Sequence, residues 1–430
     1  MTELLALDPD DFTAALRDHG GRAMLWWDHD RGAIVTDAQW LAPMAAWMNA
    51  DTRDVHRHEA VVLAVAPQTG ALMGAFVHAT LRGQAAGGLR FWPYATVESL
   101  LRDGLRLSLG MSRKSALAGL WWGGGKGIVA RRKDAPWQDP QYRRTLYREY
   151  GEFTTSLRGV YITAEDVGTG PADMAHVFET TRWVTCVPPA VGGSGNPSEA
   201  TAKGVVCAME GALDHLGKGE LRGKTVAMQG AGNVAAYMIE TLLQRGVGRV
   251  VATDIDAARL ESLRQRWAGR PVELRHAAAG DRSIFAEPCD VFAPNALGGV
   301  LEPETIAMLR TPIVCGAANN QLLDDRRDDG LLAQRGIVYV PDFVANRMGI
   351  VNCANEQYGR VDPDPAIERH FGRDWDNAVY VITRRVLERA AKDGVTTSTA
   401  ANALADEACR VPHPIWGHRG RAIIESLARG

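Results

Sequence analysis

The sequence shows no excess of charge of either sign, no paired cysteines and no long apolar run. Its 48 Lys and Arg stand against 51 Asp and Glu, a formal net charge of -3. No broad field of one sign surrounds such a chain, which weighs against nucleic acid or an anionic membrane as partner and favours small-molecule chemistry. The six cysteines (Cys186, Cys207, Cys289, Cys315, Cys353, Cys409) are far apart, with no Cys-x-x-Cys pair. That spacing excludes a disulfide scaffold and a thiolate zinc site; no metal is expected, and the pattern suits a reducing compartment. No stretch approaches the roughly 20 uninterrupted apolar residues of a membrane span. Met1 to Phe12 holds Glu3, Asp8, Asp10 and Asp11 and no basic residue, unlike the positive start of a secretory signal, so a cytoplasmic location is expected. Low-complexity tracts and internal repeats are also absent.

What is present is an ordinary globular composition, 46% apolar and 23% charged over 430 residues, a length that suits two domains. Thr96 can cap a helix running to Ala118. Gly119 to Gly127 reads as too glycine-rich for a helix, and the strand-like Ile128-Val129-Ala130 follows it. A helix from Asp139 to about Leu157 leads to a buried strand, Val160 to Thr163. Pro188 to Ser198, rich in proline and glycine, marks a domain boundary. Beyond it, short apolar strands at Thr225–Gln229, Val250–Thr253, Asp290–Ala293, Ile313–Gly316 and Ile337–Val340 alternate with helical segments, the signature of a doubly wound parallel sheet. The expectation is an α/β protein of two domains separated by a cleft. Residues 1–190 form a substrate and oligomerisation domain, to which helices within 346–430 return, and residues 196–345 form a Rossmann domain.

Gly230-Ala231-Gly232-Asn233-Val234-Ala235 is a G-x-G-x-x-A sequence placed directly between an expected strand and helix. The first glycine permits a tight turn, the second lets backbone amides approach a pyrophosphate, and the small Ala235 lets helix and strand pack closely. The helix N-terminus then offers unpaired N–H groups to the phosphates. Asp254 ends the next strand 254 − 230 = 24 positions on, near the ~20 typical of the acid that binds the adenosine ribose. A carboxylate there accepts bonds from ribose hydroxyls and repels a 2′-phosphate, so NAD is expected rather than NADP.

Lys114 and Lys126 lie twelve positions apart among glycine, alanine and tryptophan. Lysine is seldom buried without a partner, so two in so small and apolar a stretch point to a cleft that binds an anion. Asp166 follows the expected strand end at Thr163, a position suited to a cleft. Oxidation of an amino acid by hydride transfer uses all three. Lys114 can hold the substrate carboxylate, and Asp166 can take the amino proton. Lys126, its pKa depressed by burial and by Lys114 as neighbouring cation, can activate water and stabilise the developing oxyanion.

Gly87-Gly88-Leu89-Arg90-Phe91, Met111-Ser112-Arg113-Lys114, Gly123-Gly124-Gly125-Lys126 and Thr163 to Thr169 resemble, in order, blocks of the glutamate/leucine/phenylalanine/valine dehydrogenase family. Ser194 to Ser198, the glycine turn, Ala317 to Gln321 and Pro341 to Val344 continue the match, which runs roughly from Val77 to Gly359. The leucine dehydrogenase branch looks closest. The resemblance implies that Lys126 and Asp166 are catalytic and that Lys114 binds the substrate carboxylate, assisted by Asn320 and the Gly87 backbone. Thr201 is similar to the family threonine beside the nicotinamide amide, and Ala293 and Asn295 to residues along the cofactor ribose. Glutamate dehydrogenases place a lysine at the Ala86 position and a serine at the Cys353 position. With neither group present, a second substrate carboxylate would be left unpaired. Ala86, Ala164, Ile350 and Cys353 instead suggest an apolar pocket for a bulky aliphatic or aromatic side chain, with Trp121 and Trp122 reclaiming some volume.

The implied activity is reversible, NAD-dependent deamination of such an L-amino acid to its 2-oxo acid and ammonia by a homo-oligomer. Two alternatives stand beside it. One is a specialised substrate whose polar group is read by Arg347, since Asn346-Arg347-Met348-Gly349 replaces the family's Asn-Ala-Gly-Gly; the simpler reading has Arg347 facing solvent. The other is a silent NAD-binding regulatory homologue, against which the intact lysine pair and Asp166 argue. The tail His413 to Arg421 has no family counterpart and reads as a surface or subunit-contact segment rather than a metal site.

Overall fold

In a computed structural model, which describes residues 2–359 and 361–429, the apolar run Ala60–Val65 becomes an inner strand of a seven-stranded sheet. The strands are β1 Arg22–Asp28, β2 Ala33–Thr36, β3 Ala60–Val65, β4 Leu72–Ala79, β5 Ala85–Trp92, β6 Gly123–Ala130 and β7 Tyr161–Glu165. Their order is β2-β1-β3-β4-β6-β5-β7. Neighbours from β2 to β6 are antiparallel, whereas β6, β5 and β7 run parallel. The chain ahead of β3 thus builds the hairpin β1–β2, which widens the sheet through β3.

Helix α1, Pro9–Asp18, and helix α2, Val97–Leu117, supply Phe12, Leu16, Leu101 and Leu105 to a core shared with Leu63, Phe76 and Ile128 of the sheet. Thr96 accepts from Ser99 N, and the Ser99 hydroxyl lies within bonding reach of Thr96 N, a reciprocal cap that fixes where α2 starts. The glycine-rich stretch, which the sequence excludes only from being helix, is strand from Gly123 onward, buried throughout. A Cβ at Gly124 would come within 2.2 Å of Ser112 N and Oγ. Glycine here lets the strand lie directly against α2.

The second sheet comprises β8 Thr225–Gln229, β9 Arg249–Asp254, β10 Val272–His276, β11 Val291–Pro294, β12 Ile313–Val314 and β13 Val338–Tyr339. All pairs are parallel, in the order β10-β9-β8-β11-β12-β13. The direction of winding reverses between β8 and β11, where doubly wound sheets bind their ligands. Edge strand β10 was not anticipated, because only Leu274 of its five residues is buried and no apolar run announces it.

Contacts divide the chain into Met1–Asn196 with Glu356–Arg360 and Asp406–Gly430, and Pro197–Asn355 with Val361–Ala405. The first crossing falls inside the expected Pro188 to Ser198 boundary. The return of 346–430 to the first unit is narrower than expected. In the second unit, helix α3, Ser198–His215, is joined by Val379–Asp393, which presents Val379, Ile382, Val386 and Leu387 as a buried face. Tyr380 also donates to Asp214 of α3 at 2.7 Å. That apolar stripe packs on α3, so Val361–Ala405 stays with the dinucleotide sheet and only the last segment rejoins the first unit.

Candidate active site

In the first unit, Lys126 occupies the middle of β6 and is 3% exposed. Its paired neighbour Phe76 packs towards α2, and Lys126 shares that face of the sheet. Asp166 follows the last residue of β7, which ends at Glu165 rather than Thr163. Its backbone N–H donates to Thr169 Oγ1 at 2.9 Å, and Thr169 Oγ1 donates in turn to Leu89 O at 3.0 Å. This small turn aims the carboxylate at Lys126, whose Nζ lies 2.6 Å from Asp166 Oδ2.

A second cation reaches the same oxygen. Arg90 of β5 donates from Nε to Asp166 Oδ2 at 2.9 Å, and its Nη1 lies 3.0 Å from each oxygen of Asp103 on α2. Tyr94 OH donates to Asp103 Oδ2 at 2.7 Å. Burial works to raise the Asp166 carboxyl, but Lys126 and Arg90 together hold it down to about 2. Burial pushes the Lys126 amine below its ordinary value; Asp166 opposes this and Arg90 reinforces it. Arg90 is thus a depressing cation that the sequence reading did not name. Lys114 itself sits half-buried in the last turn of α2. Neighbouring Glu165 is pushed up to about 7 by burial and by the Asp166 charge.

Among the other expected residues of this unit, Gly87 lies within β5, where its carbonyl accepts from Tyr161 OH at 2.6 Å. Ala86 and Ala164 are buried on neighbouring strands, opposite Gly124 and Gly88 respectively. Arg90, Asp103 and Tyr94 were missed. The available signal was a guanidinium between the core residues Leu89 and Phe91, a place that demands a partner.

In the second unit, the glycine turn falls where expected, between β8 and the helix Asn233–Gln244. Gly230 has φ 101°, a conformation that favours glycine, and Gly232 precedes the helix with nothing within 4 Å of a Cβ built on it. Ala231 N donates to Asp254 Oδ2 at 2.8 Å and Asp256 N to Asp254 Oδ1 at 2.9 Å, so the acid also braces the turn. Val234 and Ala235 continue into the helix, with Ala235 buried. Asn295, one residue past β11, accepts from Ala317 N at 2.8 Å. Its buried Nδ2 finds no partner among the described residues, and neither does Gln229 Oε1 at the end of β8. Orphaned polar atoms at the ends of β8 and β11, beside an open helix N-terminus, fit a dinucleotide. Ala293 is buried within β11, and Thr201 on α3 donates to Pro197 O at 2.9 Å. Asn320 is exposed, with a left-handed φ of 51°, and its N–H reaches Asp342 Oδ2 at 2.5 Å. Ile350 and Cys353, three positions apart on one helix, are both buried.

Arg347 overturns its expectation. It is fully buried rather than solvent-facing, its Nη2 donates to Asn377 O, and burial lowers it to about 9. The tail is pinned within the first unit: His413 N donates to Leu81 O at 2.9 Å, and His418 Nε2 lies 2.8 Å from Glu59 Oε1.

Residues 192–410 match the family described as glutamate/leucine/phenylalanine/valine dehydrogenase, and residues 68–183 match its dimerisation domain. This chain belongs to that family. It is 37% identical to the leucine dehydrogenase of Geobacillus stearothermophilus over 82% of its own length and 91% of the relative's. With the valine dehydrogenase of Streptomyces albus it shares 38% identity over 81% and 92% of the two chains. The crystal structure of L-tryptophan dehydrogenase from Nostoc punctiforme superposes with a TM-score of 0.67 at 30% identity, covering 87% of this chain and 97% of that one. The protein is accordingly an amino acid dehydrogenase, an oxidoreductase that uses NAD. Among the described residues, no helix is long and apolar enough to cross a membrane.

Proposed function

We propose that the protein deaminates a bulky apolar L-amino acid to its 2-oxo acid and ammonia, reversibly, with Lys126 and Asp166 as the reacting pair. The observation that carries this reading is the buried 2.6 Å contact between Lys126 Nζ and Asp166 Oδ2, in a chain related along most of its length to leucine and valine dehydrogenases. Asp166, ionised at any working pH, accepts the proton of the substrate's ammonium group. Lys126, with its amine depressed by burial, serves as base for the water that attacks the iminium carbon and then stabilises the oxyanion on its way to the ketone. Lys114 supplies the cation for the substrate carboxylate, with Asn320 and the Gly87 backbone as its helpers. Gly230 to Ala235 and Asp254 would hold the pyrophosphate and ribose of NAD, aided by Thr201, Ala293 and Asn295, and the cofactor would supply the hydride acceptor for Cα.

Ala86 and Ala164 in the first unit and Ile350 and Cys353 in the second are the residues assigned to the substrate side chain. None carries a charge to pair with a second carboxylate, which disfavours glutamate. The buried Arg347, whose Nη2 donates to the Asn377 carbonyl, weighs against the specialised-substrate alternative. A homo-oligomer in the cytoplasm fits the dimerisation domain and six cysteines that form no disulfide among the described residues.

The test is to follow NADH formation with L-leucine, L-valine, L-phenylalanine, L-tryptophan and L-glutamate at alkaline pH. Turnover of an apolar substrate in preference to glutamate is expected. Tight NAD binding with no turnover of any would instead identify the silent homologue.

A further inference from the structure

We propose that Arg90 is a positioning residue for this reaction: clamped by Asp103 and Tyr94, it pins the Asp166 carboxylate through Oδ2 and commits Oδ1 to the substrate's amino group. The inference rests on Lys126 and Asp166 being the reacting pair.

Three elements meet in the clamp. Arg90 comes from β5, Asp103 from α2, and Asp166 follows β7. Arg90 Nη1 sits 3.0 Å from both oxygens of Asp103, and Tyr94 OH fixes one of those oxygens at 2.7 Å. The guanidinium is thus fixed before it meets Asp166, at 2.9 Å through Nε. A planar fork held at one side has little freedom left at the other. Lys126 alone, a single point donor, would let the carboxylate turn about its χ2 angle. Two donors arriving on one oxygen, from β5 and β6, set the plane of the group. Oδ1 accepts no hydrogen bond from the described residues, so it is the oxygen available to an incoming ammonium.

Charge alternates along the same row: Asp103, Arg90, Asp166, Lys126. The Arg90 cation disfavours a proton on Lys126, whereas Asp103 favours one. The other titratable or charged groups facing the row are Tyr94, Glu165 beside Asp166, and the more exposed Arg106 with Nη2 3.9 Å from Asp103. Changes at the two ends of the clamp should therefore move the pH dependence of catalysis in opposite directions. Simple loosening of the fold cannot do this.

The experiment measures kcat and KM against pH for Arg90→Gln, Arg90→Lys, Asp103→Asn and Lys126→Ala, using NAD and the fastest of the apolar substrates above. NAD binding, followed by fluorescence titration, checks that each variant is folded. Arg90→Gln should lower kcat by about 100-fold, as expected when a reacting group is misplaced by an ångström. It should also shift the acid limb of kcat/KM to higher pH. Arg90→Lys restores the charge without the fork and should return the limb towards wild type while recovering only part of kcat. Asp103→Asn should shift the limb to lower pH.

Wild-type kcat and limb in Arg90→Gln, or limbs moving the same way in Arg90→Gln and Asp103→Asn, would overturn the inference. If Arg90→Gln fails to fold, the Asp103→Asn limb decides: a downward shift supports the clamp, and no shift or an upward one refutes it. Normal turnover by Lys126→Ala would sink the reacting pair itself. An inactive Lys126→Ala beside a wild-type-like Arg90→Gln would sink only the role of Arg90.

Discussion

Arg90 Nε and Lys126 Nζ converge on one oxygen, Asp166 Oδ2, at 2.9 and 2.6 Å. The two cations keep that carboxyl ionised, while burial, reinforced by Arg90, leaves the lysine amine easier to deprotonate than one in water. The second condition suits an amine that activates water.

Replacing either member should stop the chemistry without disturbing the cofactor, since Gly230 to Ala235 and Asp254 belong to the other unit. Lys126→Ala and Asp166→Asn are each expected to lower kcat by roughly 1000-fold, within the range of general acid–base effects. NAD affinity, measured by fluorescence titration, should stay within about twofold of wild type. Near-normal rates in either variant would remove it from the mechanism.

The pH dependence follows from the direction of the Lys126 shift. A base must be neutral to act, and burial holds this amine below the ordinary lysine value of 10.5. Activity in the deamination direction should therefore rise with pH to a plateau whose midpoint lies below 10.5, and fall as the amine is protonated at lower pH. A rate still climbing beyond that value would show that the amine is not depressed.

Asp254 carries two duties, and its removal should show both. Asp254→Ala leaves Ala231 N and Asp256 N without their acceptor and removes the carboxylate proposed to read the ribose. The dissociation constant for NAD should rise roughly tenfold, the equivalent of one hydrogen bond of about 1.4 kcal/mol, and discrimination against NADP should weaken. Unchanged discrimination would leave Asp254 as a brace for the turn alone.

Arg347 gives a contrast between folding and specificity. Arg347→Ala opens a cavity and leaves the Asn377 carbonyl without that donor, for an expected loss of about 3 kcal/mol in denaturant unfolding. Arg347→Met keeps most of the volume and sheds a buried charge, so it should cost much less. Neither should change the ranking of amino acid substrates. A new preference in Arg347→Met would return this residue to the substrate site.

The dinucleotide unit was largely legible in the sequence because its signals are local. A strand, a glycine turn, a helix and an acid 24 positions on lie in one short window, and the structure keeps their boundaries within a residue or two. The proposed reacting pair was legible for a related reason: a lysine among glycines, and an aspartate after an apolar strand, are costly unless used. The clamp was not. Arg90 and Asp103 are thirteen positions apart on a strand and a helix, and nothing in their spacing announces that they meet. Arg347 misled because an arginine replacing a small residue reads as exposed; only tertiary packing shows the pocket formed by the 369–378 segment and α3. The glycine-rich run before Lys126 told only that no helix forms there. That Gly124 lies close against α2 needed the tertiary structure.

The last helix, Arg419–Ala428, lies against β1, and Arg158 Nη1 donates to Ser426 Oγ at 2.6 Å. Asp406–Gly430 thus rejoins the unit that holds Met1–Asn196, after the chain has supplied both stretches of the other unit. During synthesis, the dinucleotide sheet has all of its strands and helices once residue 405 has left the ribosome. The first unit must wait for residues 406–429 before its surface beside Leu81 and Glu59 is closed. The unit that precedes the dinucleotide sheet in the chain is therefore finished after it, and a chaperone would meet it in that incomplete form.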